Sequence, residues 1–290
     1  MAADLTIAET APAKINLYLH VTGRRDDGYH LLDSLVVFAD AGDTLRVKPA
    51  DTLSLRIEGP FSDGLSANAD NLVLHAAAAL ADLFGVRAGA EIVLEKNLPV
   101  SSGIGGGSAD AAAAIRALAD LWSLDLTAKA SAVSDMALRL GADVPVCLKS
   151  KTVRMRGVGE RLSPVPSLPP VSILLVNPGV AVSTPDVFRA RQGDVSEPAD
   201  WPAETTDASA LFSALATTNN DLQAAAIDVA PVIRDVLNAL ESDPNAAFVR
   251  MSGSGATCFA LYQSRSDADT AATDLQARHP AWWVRAANLI

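Results

Sequence analysis

The chain has 290 residues, 49% of them hydrophobic, which gives room for one large or two moderate folded domains. Its 34 acids against 23 Lys and Arg leave a formal net charge of −11, which argues against a general grip on nucleic-acid phosphates. No stretch approaches the roughly 20 apolar residues of a membrane span, MAADLTIAET has neither a basic n-region nor an apolar h-region, and Cys147, Cys258 and the histidines show no metal-ligand spacing. The expectation is a cytoplasmic protein with no nucleic-acid or membrane partner, no structural metal and no disulfide.

Ala13, Ile15, Leu17, Leu19 and Val21 alternate with Lys14, Asn16, Tyr18, His20 and Thr22, the period of a half-buried strand with Lys14 and Asn16 on one face. On spacing alone Lys14 reads as a solvated strand lysine. GRRDDGYH, residues 23 to 30, is a turn, Leu31 to Phe38 resumes a strand, and Ala41-Gly42-Asp43 marks another turn. Leu45 and Val47, then Leu53, Leu55 and Ile57, extend the alternation, so the first sixty residues read as an antiparallel meander. Tyr29 and His30 stand at a turn-to-strand junction, where packing on the sheet edge and stacking on a ligand are both open. After Asp70-Asn71, the spacing of Leu72, Leu74 or His75, Ala79 and Leu83 predicts a helix that Gly85 stops. Ala90, Ile92 and Leu94 form a strand that feeds LPVSSGIGGGSADAAAA, residues 98 to 114.

Gly103, Gly105, Gly106 and Gly107 strip side chains from a short turn, so backbone N–H groups can approach a ligand closely. Ser108 is the expected N-cap of an alanine-rich helix to Trp122, and a helix N-terminus carries unpaired donors and partial positive charge. Strand, glycine turn and helix in succession point to a phosphate site rather than a flexible linker. The P-loop pattern fails, because Ser108-Ala109 stand where Lys and Ser or Thr are needed, and the strand-rich first hundred residues do not suit a Rossmann unit.

A third helix is expected from Thr127, its cap, to Leu140, with Gly141 as the stop. Asp143 follows, wedged before an apolar, proline-bearing segment, and reads equally as a partnered, partly buried carboxylate or as a turn former. Residues 152 to 164 predict a hairpin around Gly157, and prolines 164, 166, 169 and 170 set a domain boundary, giving residues 1–165 and 166–290. The second part mixes a strand at 171–176, a helix opened by Ser183-Thr184-Pro185 through Phe188 and a loop from Gln192 to Ser209. Further helices are expected at 211–216, 221–230, from Pro231 and at 267–278, with strands at 247–251, 257–262 and 283–287. Between two of these strands Ser252-Gly253-Ser254-Gly255-Ala256 is a second glycine turn, which implies close backbone approach.

PAKINL at 12–17, the loop at 99–112 and SGSGAT at 252–257 occur in the order of the three GHMP kinase motifs, and the chain resembles that family over most of its length. The resemblance implies an α+β, two-domain GHMP kinase fold, with an N-terminal ribosomal-protein-S5-like domain and a C-terminal ferredoxin-like domain. It implies a small-molecule kinase that uses ATP, with Mg²⁺ carried on the nucleotide, and GYH together with Phe188 implies a cytidine diphosphate substrate. By the same resemblance Lys14 and Asp143 become the catalytic pair and Asn16 a neighbour in the substrate site. Tyr29 and His30 recognise the base, and Thr184 and Phe188 complete its pocket. Pro99, Val100, Ser101, Ser102, Gly103, Ile104, Gly105, Gly106, Gly107 and Ser108 hold the phosphates, and Asn71 lines the adenine pocket. Relatives often carry Ser and an amide after the loop serine, whereas this chain has Ala109 and Asp110. A carboxylate at 110 repels a nucleotide unless it faces away or meets Mg²⁺.

Overall fold

The computed structural model describes residues 5–290, so Met1 to Asp4, part of the stretch read for a signal peptide, lie outside the described residues. Two compact units each draw on three stretches of chain, the first on Met1–Ala13, Gly42–Val100 and Gly105–Ser150, the second on Lys14–Ala41, Ser101–Ile104 and Lys151–Ile290. The division runs through two long paired strands, β1 (Ile7–Arg24) and β2 (His30–Ala50). The turn expected at 41–43 is absent, and β2 continues through it. A Cβ on Gly42 would lie 2.5 Å from the Ala11 carbonyl oxygen, so this glycine permits close approach of backbone within the sheet rather than a reversal. Residues 11–21 of β1 are buried throughout, where the alternation predicted one wet face.

In the first unit β4 (Gly89–Glu95) pairs antiparallel with residues 44–50 of β2 and parallel with β3 (Ser54–Glu58). β3 is therefore not the expected strand of an antiparallel meander over the first sixty residues; its partner is the later strand β4, in parallel. The cause of the parallel pairing is the intervening helix α1 (Leu72–Phe84), which carries the chain back so that β4 runs alongside β3. Asn71 caps α1 and Gly85 ends it at φ 71°, as the sequence indicated. Helix α2 (Gly106–Leu121) packs against α1 through a nearly continuous buried alanine face. A 3-10 turn at Leu126–Lys129, capped by Asp125 rather than Thr127, leads into α3 (Ala130–Leu140), and α4 (Val144–Lys149) follows at once. The last was not anticipated, although Pro145 in the first turn of α4 is a helix-start signal.

In the second unit residues 32–36 of β2 pair with β5 (Val153–Gly157), which forms the predicted hairpin with β6 (Arg161–Pro164). A second sheet is built from β7 (Ser172–Asn177), β8 (Phe248–Met251), β9 (Cys258–Tyr262) and β10 (Trp283–Asn288) in the antiparallel order β10-β7-β9-β8, the arrangement of a ferredoxin-like sheet. The helices are α5 (Thr184–Ala190), α6 (Ala208–Ala216), α7 (Gln223–Val229), α8 (Val232–Glu241) and α9 (Arg265–Arg278). Leu174, Val176, Ile233, Val236, Leu240, Met251 and Leu275 are among the side chains of its buried core. Among the described residues no helix is long and apolar enough to cross a membrane.

Candidate functional site

The glycine loop leaves β4 as a buried Leu98-Pro99 pair and an exposed Val100. On the first unit it ends at the start of α2. Gly105, at φ 65°, is the N-cap, not Ser108, which lies in the first turn of the helix and is half-buried. No side chain caps this end, and a Cβ placed on Gly107 would meet nothing within 4 Å. The first-turn N–H groups have no intrahelical partner, and at Gly107 the helix end fronts open space, the geometry an anion requires.

On the second unit residues 101–104 are fixed by the other glycine turn. Gly103 sits at φ 76°, where a Cβ would lie 2.6 Å from both the Ser252 and the Gly255 carbonyl oxygens; one on Gly253 would lie 2.7 Å from the Gly103 carbonyl oxygen. Each glycine turn is thus what the other approaches. The Ser252 hydroxyl donates to the Gly103 carbonyl at 3.1 Å and accepts from the Asn16 N–H at 3.1 Å, and Thr257 N–H donates to the Ser102 carbonyl at 3.0 Å. Ser101 is exposed at φ 51°, and its carbonyl accepts the Val182 N–H. Ser102 and Ile104 are buried.

Lys14 N–H donates to the Ile104 carbonyl at 2.9 Å, so β1 runs beside the loop there, and the Lys14 side chain is buried rather than solvated. Two residues on, the Asn16 amide donates to the Ser34 hydroxyl at 2.7 Å, while its oxygen is buried with no hydrogen-bond partner among the described residues. Such an oxygen has an acceptor left for a bound group.

Elsewhere on the second unit His30 and Phe188 stack at 4.7 Å with 20° between ring planes. Tyr29 next to them is 66% exposed, too open for a packing role alone. Burial, then the Arg24 and Arg191 guanidinium groups, hold His30 below its usual value of 6.5, so its ring is neutral at pH 7 and offers one donor and one acceptor. Thr184 opens α5, its hydroxyl 2.8 Å from that of Ser254 in the second glycine turn.

On the first unit Asp143 stands half-buried between Gly141 and the first turn of α4, and its side chain makes no capping bond to that helix. The Asn71 amide oxygen caps α1 at Val73 N–H and its nitrogen donates to the Ser66 carbonyl, both at 2.9 Å.

Asp110 lies one turn into α2. It is buried, with Lys96 Nζ 2.7 Å from its Oδ2, and Lys96 also pairs with buried Asp43. Burial, only partly offset by attraction to a lysine shared with Asp43, raises Asp110 to about 8. Held protonated at neutral pH, it leaves the trio without surplus negative charge. Nothing local signalled Asp43 or Lys96, because the former sat in a supposed turn and the latter at a strand end. Among the described residues no group of three or more His, Cys, Asp or Glu is placed to hold a metal ion.

Sequence models of the GHMP kinases match this chain twice, the N-terminal domain at residues 71–151 and the C-terminal domain at 206–281. It is similar to a protein of Paramagnetospirillum magneticum named 4-diphosphocytidyl-2-C-methyl-D-erythritol kinase, at 52% identity over 97% of each chain. A Ruegeria pomeroyi protein of the same name is 55% identical over 96% of this chain and 98% of its own. Of solved structures, that of a 4-(cytidine 5'-diphospho)-2C-methyl-D-erythritol kinase superposes with a TM-score of 0.79 at 35% identity, covering 98% of this chain and 99% of that one. A homoserine kinase of Cytophaga hutchinsonii, with a TM-score of 0.74 at 20% identity over 99% and 95%, shares the fold.

Proposed function

The chain belongs to the GHMP kinases, and from that premise we propose that it transfers the γ-phosphoryl group of ATP to the 2-hydroxyl of 4-diphosphocytidyl-2-C-methyl-D-erythritol, a step of non-mevalonate isoprenoid precursor synthesis. What carries the substrate assignment is that relatives of that name are 52% and 55% identical with almost no part of the chain left out. The neutral His30 ring stacked with Phe188 supports it, because a cytosine offers both a π-face and a hydrogen-bonding edge to such a pair.

Phosphoryl transfer asks a protein mainly for position and charge stabilisation. In this reading the N–H groups from Pro99's successor Val100 through Ser108 line the triphosphate, and the uncapped end of α2 beside Gly107 supports that assignment. Asn71 at the adenine rests on family resemblance, since its side chain also caps α1. Asp143 accepts the proton of the attacking hydroxyl, supported by a half-buried carboxylate that does not cap its helix. Lys14 offsets charge on the transferring group, supported by its backbone bond to the loop at Ile104. Asn16 meets the substrate with its open amide oxygen, and Tyr29, His30, Thr184 and Phe188 take the cytidine end. When bound with the nucleotide, Mg²⁺ would supply neutralising charge at the phosphates held by this loop. We assign residues 1–165 to the ATP-binding part and 166–290 to the C-terminal kinase part, and the setting is the cytoplasm.

The test is a substrate panel. The purified chain with Mg²⁺ and ATP labelled at the γ-position is offered the cytidine diphosphate alcohol, homoserine and mevalonate in turn. Label should pass only to the first; transfer to homoserine or mevalonate at a higher kcat/KM would overturn the substrate assignment, and no transfer at all would overturn the kinase reading.

A further inference from the structure

The glycine loop has two ends, and three buried ionisable side chains tie them together. Asp43 of β2 accepts the N–H groups of Asn97 at 2.5 Å and Leu98 at 2.8 Å with one oxygen, so it holds the segment entering the loop. Its other oxygen pairs with the Lys96 ammonium. That ammonium also lies 2.7 Å from Oδ2 of Asp110, one turn into the helix that leaves the loop, and 3.5 Å from where a Cβ of Gly106 would be. All three residues are at most 3% exposed.

Such a cluster is a poor choice if stability is all that matters, because desolvating the Lys96 and Asp43 charges and the polar Asp110 carboxyl offsets most of their attraction and an apolar trio of similar volume packs as well. Its specific product is direction: an ammonium held between the Asp43 carboxylate, itself bound to two backbone donors, and the carboxyl oxygen of Asp110 fixes where its neighbours stand. We propose that Asp43, Lys96 and Asp110 are positioning residues for ATP, setting the spacing between the two ends of the loop so that the N–H groups at the start of α2 already point at the triphosphate before it arrives. The proposal rests on the reading of this loop as the ATP site. It assigns these residues to ATP and to neither the substrate alcohol nor the base, so its signature is selective for one substrate.

Lys96→Met in the full chain removes the central charge at similar length. The KM for ATP should rise about tenfold or more, as expected for a small misplacement of binding groups, while the KM for the phosphoryl acceptor stays within about twofold. Asp110→Asn keeps an oxygen for Lys96 and should return the KM for ATP to within about threefold of the unsubstituted chain, whereas Asp110→Ala should resemble Lys96→Met. A merely structural trio would lower the amount of folded enzyme and leave both KM values alone. An unchanged KM for ATP in folded Asp110→Ala, or equal shifts in both KM values, overturns the proposal; should Lys96→Met fail to fold, the Asn and Ala variants at 110 decide it. If the unsubstituted chain does not saturate with ATP, the ATP reading itself has failed, and the proposal with it.

Discussion

Two glycines of one loop make a prediction that separates folding from binding. A Cβ on Gly103 would sit 2.6 Å from two backbone oxygens of the second glycine turn, at φ 76°. Gly103→Ala therefore incurs the left-handed backbone penalty of about 1–2 kcal/mol and an overlap cost of about 1–3 kcal/mol, because a carbonyl oxygen cannot rotate away as a side chain can. Chemical denaturation should show a loss of about 2–5 kcal/mol. Gly107 is the opposite case, since it is helical and a Cβ there meets nothing within 4 Å of the protein. Gly107→Ala should stabilise α2 by about 0.5–1 kcal/mol through backbone entropy, and a melting experiment should register an unchanged or slightly raised midpoint. If phosphate occupies that open space, however, the added methyl group obstructs it, and steady-state kinetics should give a KM for ATP raised by about tenfold or more, a loss of about 1.4 kcal/mol in binding. A folded Gly107→Ala enzyme with the ATP affinity of the unsubstituted chain would refute the placement of phosphate at this helix end, and a Gly103→Ala chain of full stability would refute the packing argument.

Asp143→Asn should lower kcat by about 10²-fold or more while calorimetry still detects ATP, as expected for loss of a general base; undiminished turnover would discard that role. The neutral His30 predicts a KM for the cytidine substrate that is level above pH 7 and rises only on acidification, because protonation converts the ring's one acceptor into a second donor. A KM that first rises between pH 7 and 8 would contradict it. Asp110 titrates near 8 when folded and near 3.8 when unfolded, so the folded chain binds that proton more tightly. Its stabilising contribution is complete below the lower value and gone above the higher one, by linkage about 1.4 kcal/mol per pH unit in between. Melting temperature should accordingly fall less between pH 6 and 9 in Asp110→Asn than in the unsubstituted chain, and an equal fall would refute the buried proton.

Local rules were legible wherever the backbone alone decides. Asn71 before an apolar periodic run and Gly85 after it fixed α1, and the hairpin around Gly157 followed from turn chemistry. The same rules failed where a distant segment decides. Gly42 looked like a turn because glycine between two strand patterns usually is one, yet what requires it is the Ala11 carbonyl thirty-one positions earlier in the chain. Ser108 looked like the cap because serine is the stronger capping residue, but Gly105 can take φ 65° and starts the helix earlier, which leaves the donors uncovered for a ligand. The second glycine turn was correctly read as a place of close approach, though nothing local could say that Gly103 was the neighbour.

Charge was the least legible property, and Asp110 is the clearest case. Read in isolation it repels phosphate; paired with a lysine fourteen positions earlier, itself held by Asp43, it belongs to the framework behind the loop. In the proposed reading an acidic chain binds a polyanion through a loop that does not depend on basic side chains: from Leu98 to Asp110 there is no Lys or Arg. An anion site made of backbone donors gains its strength from direction rather than from net charge, and a donor turned away contributes little. This is why a methyl group at 107 and a missing ammonium at 96 should be felt in the same parameter, the affinity for ATP, although one obstructs the space in front of the donors and the other releases the support behind them.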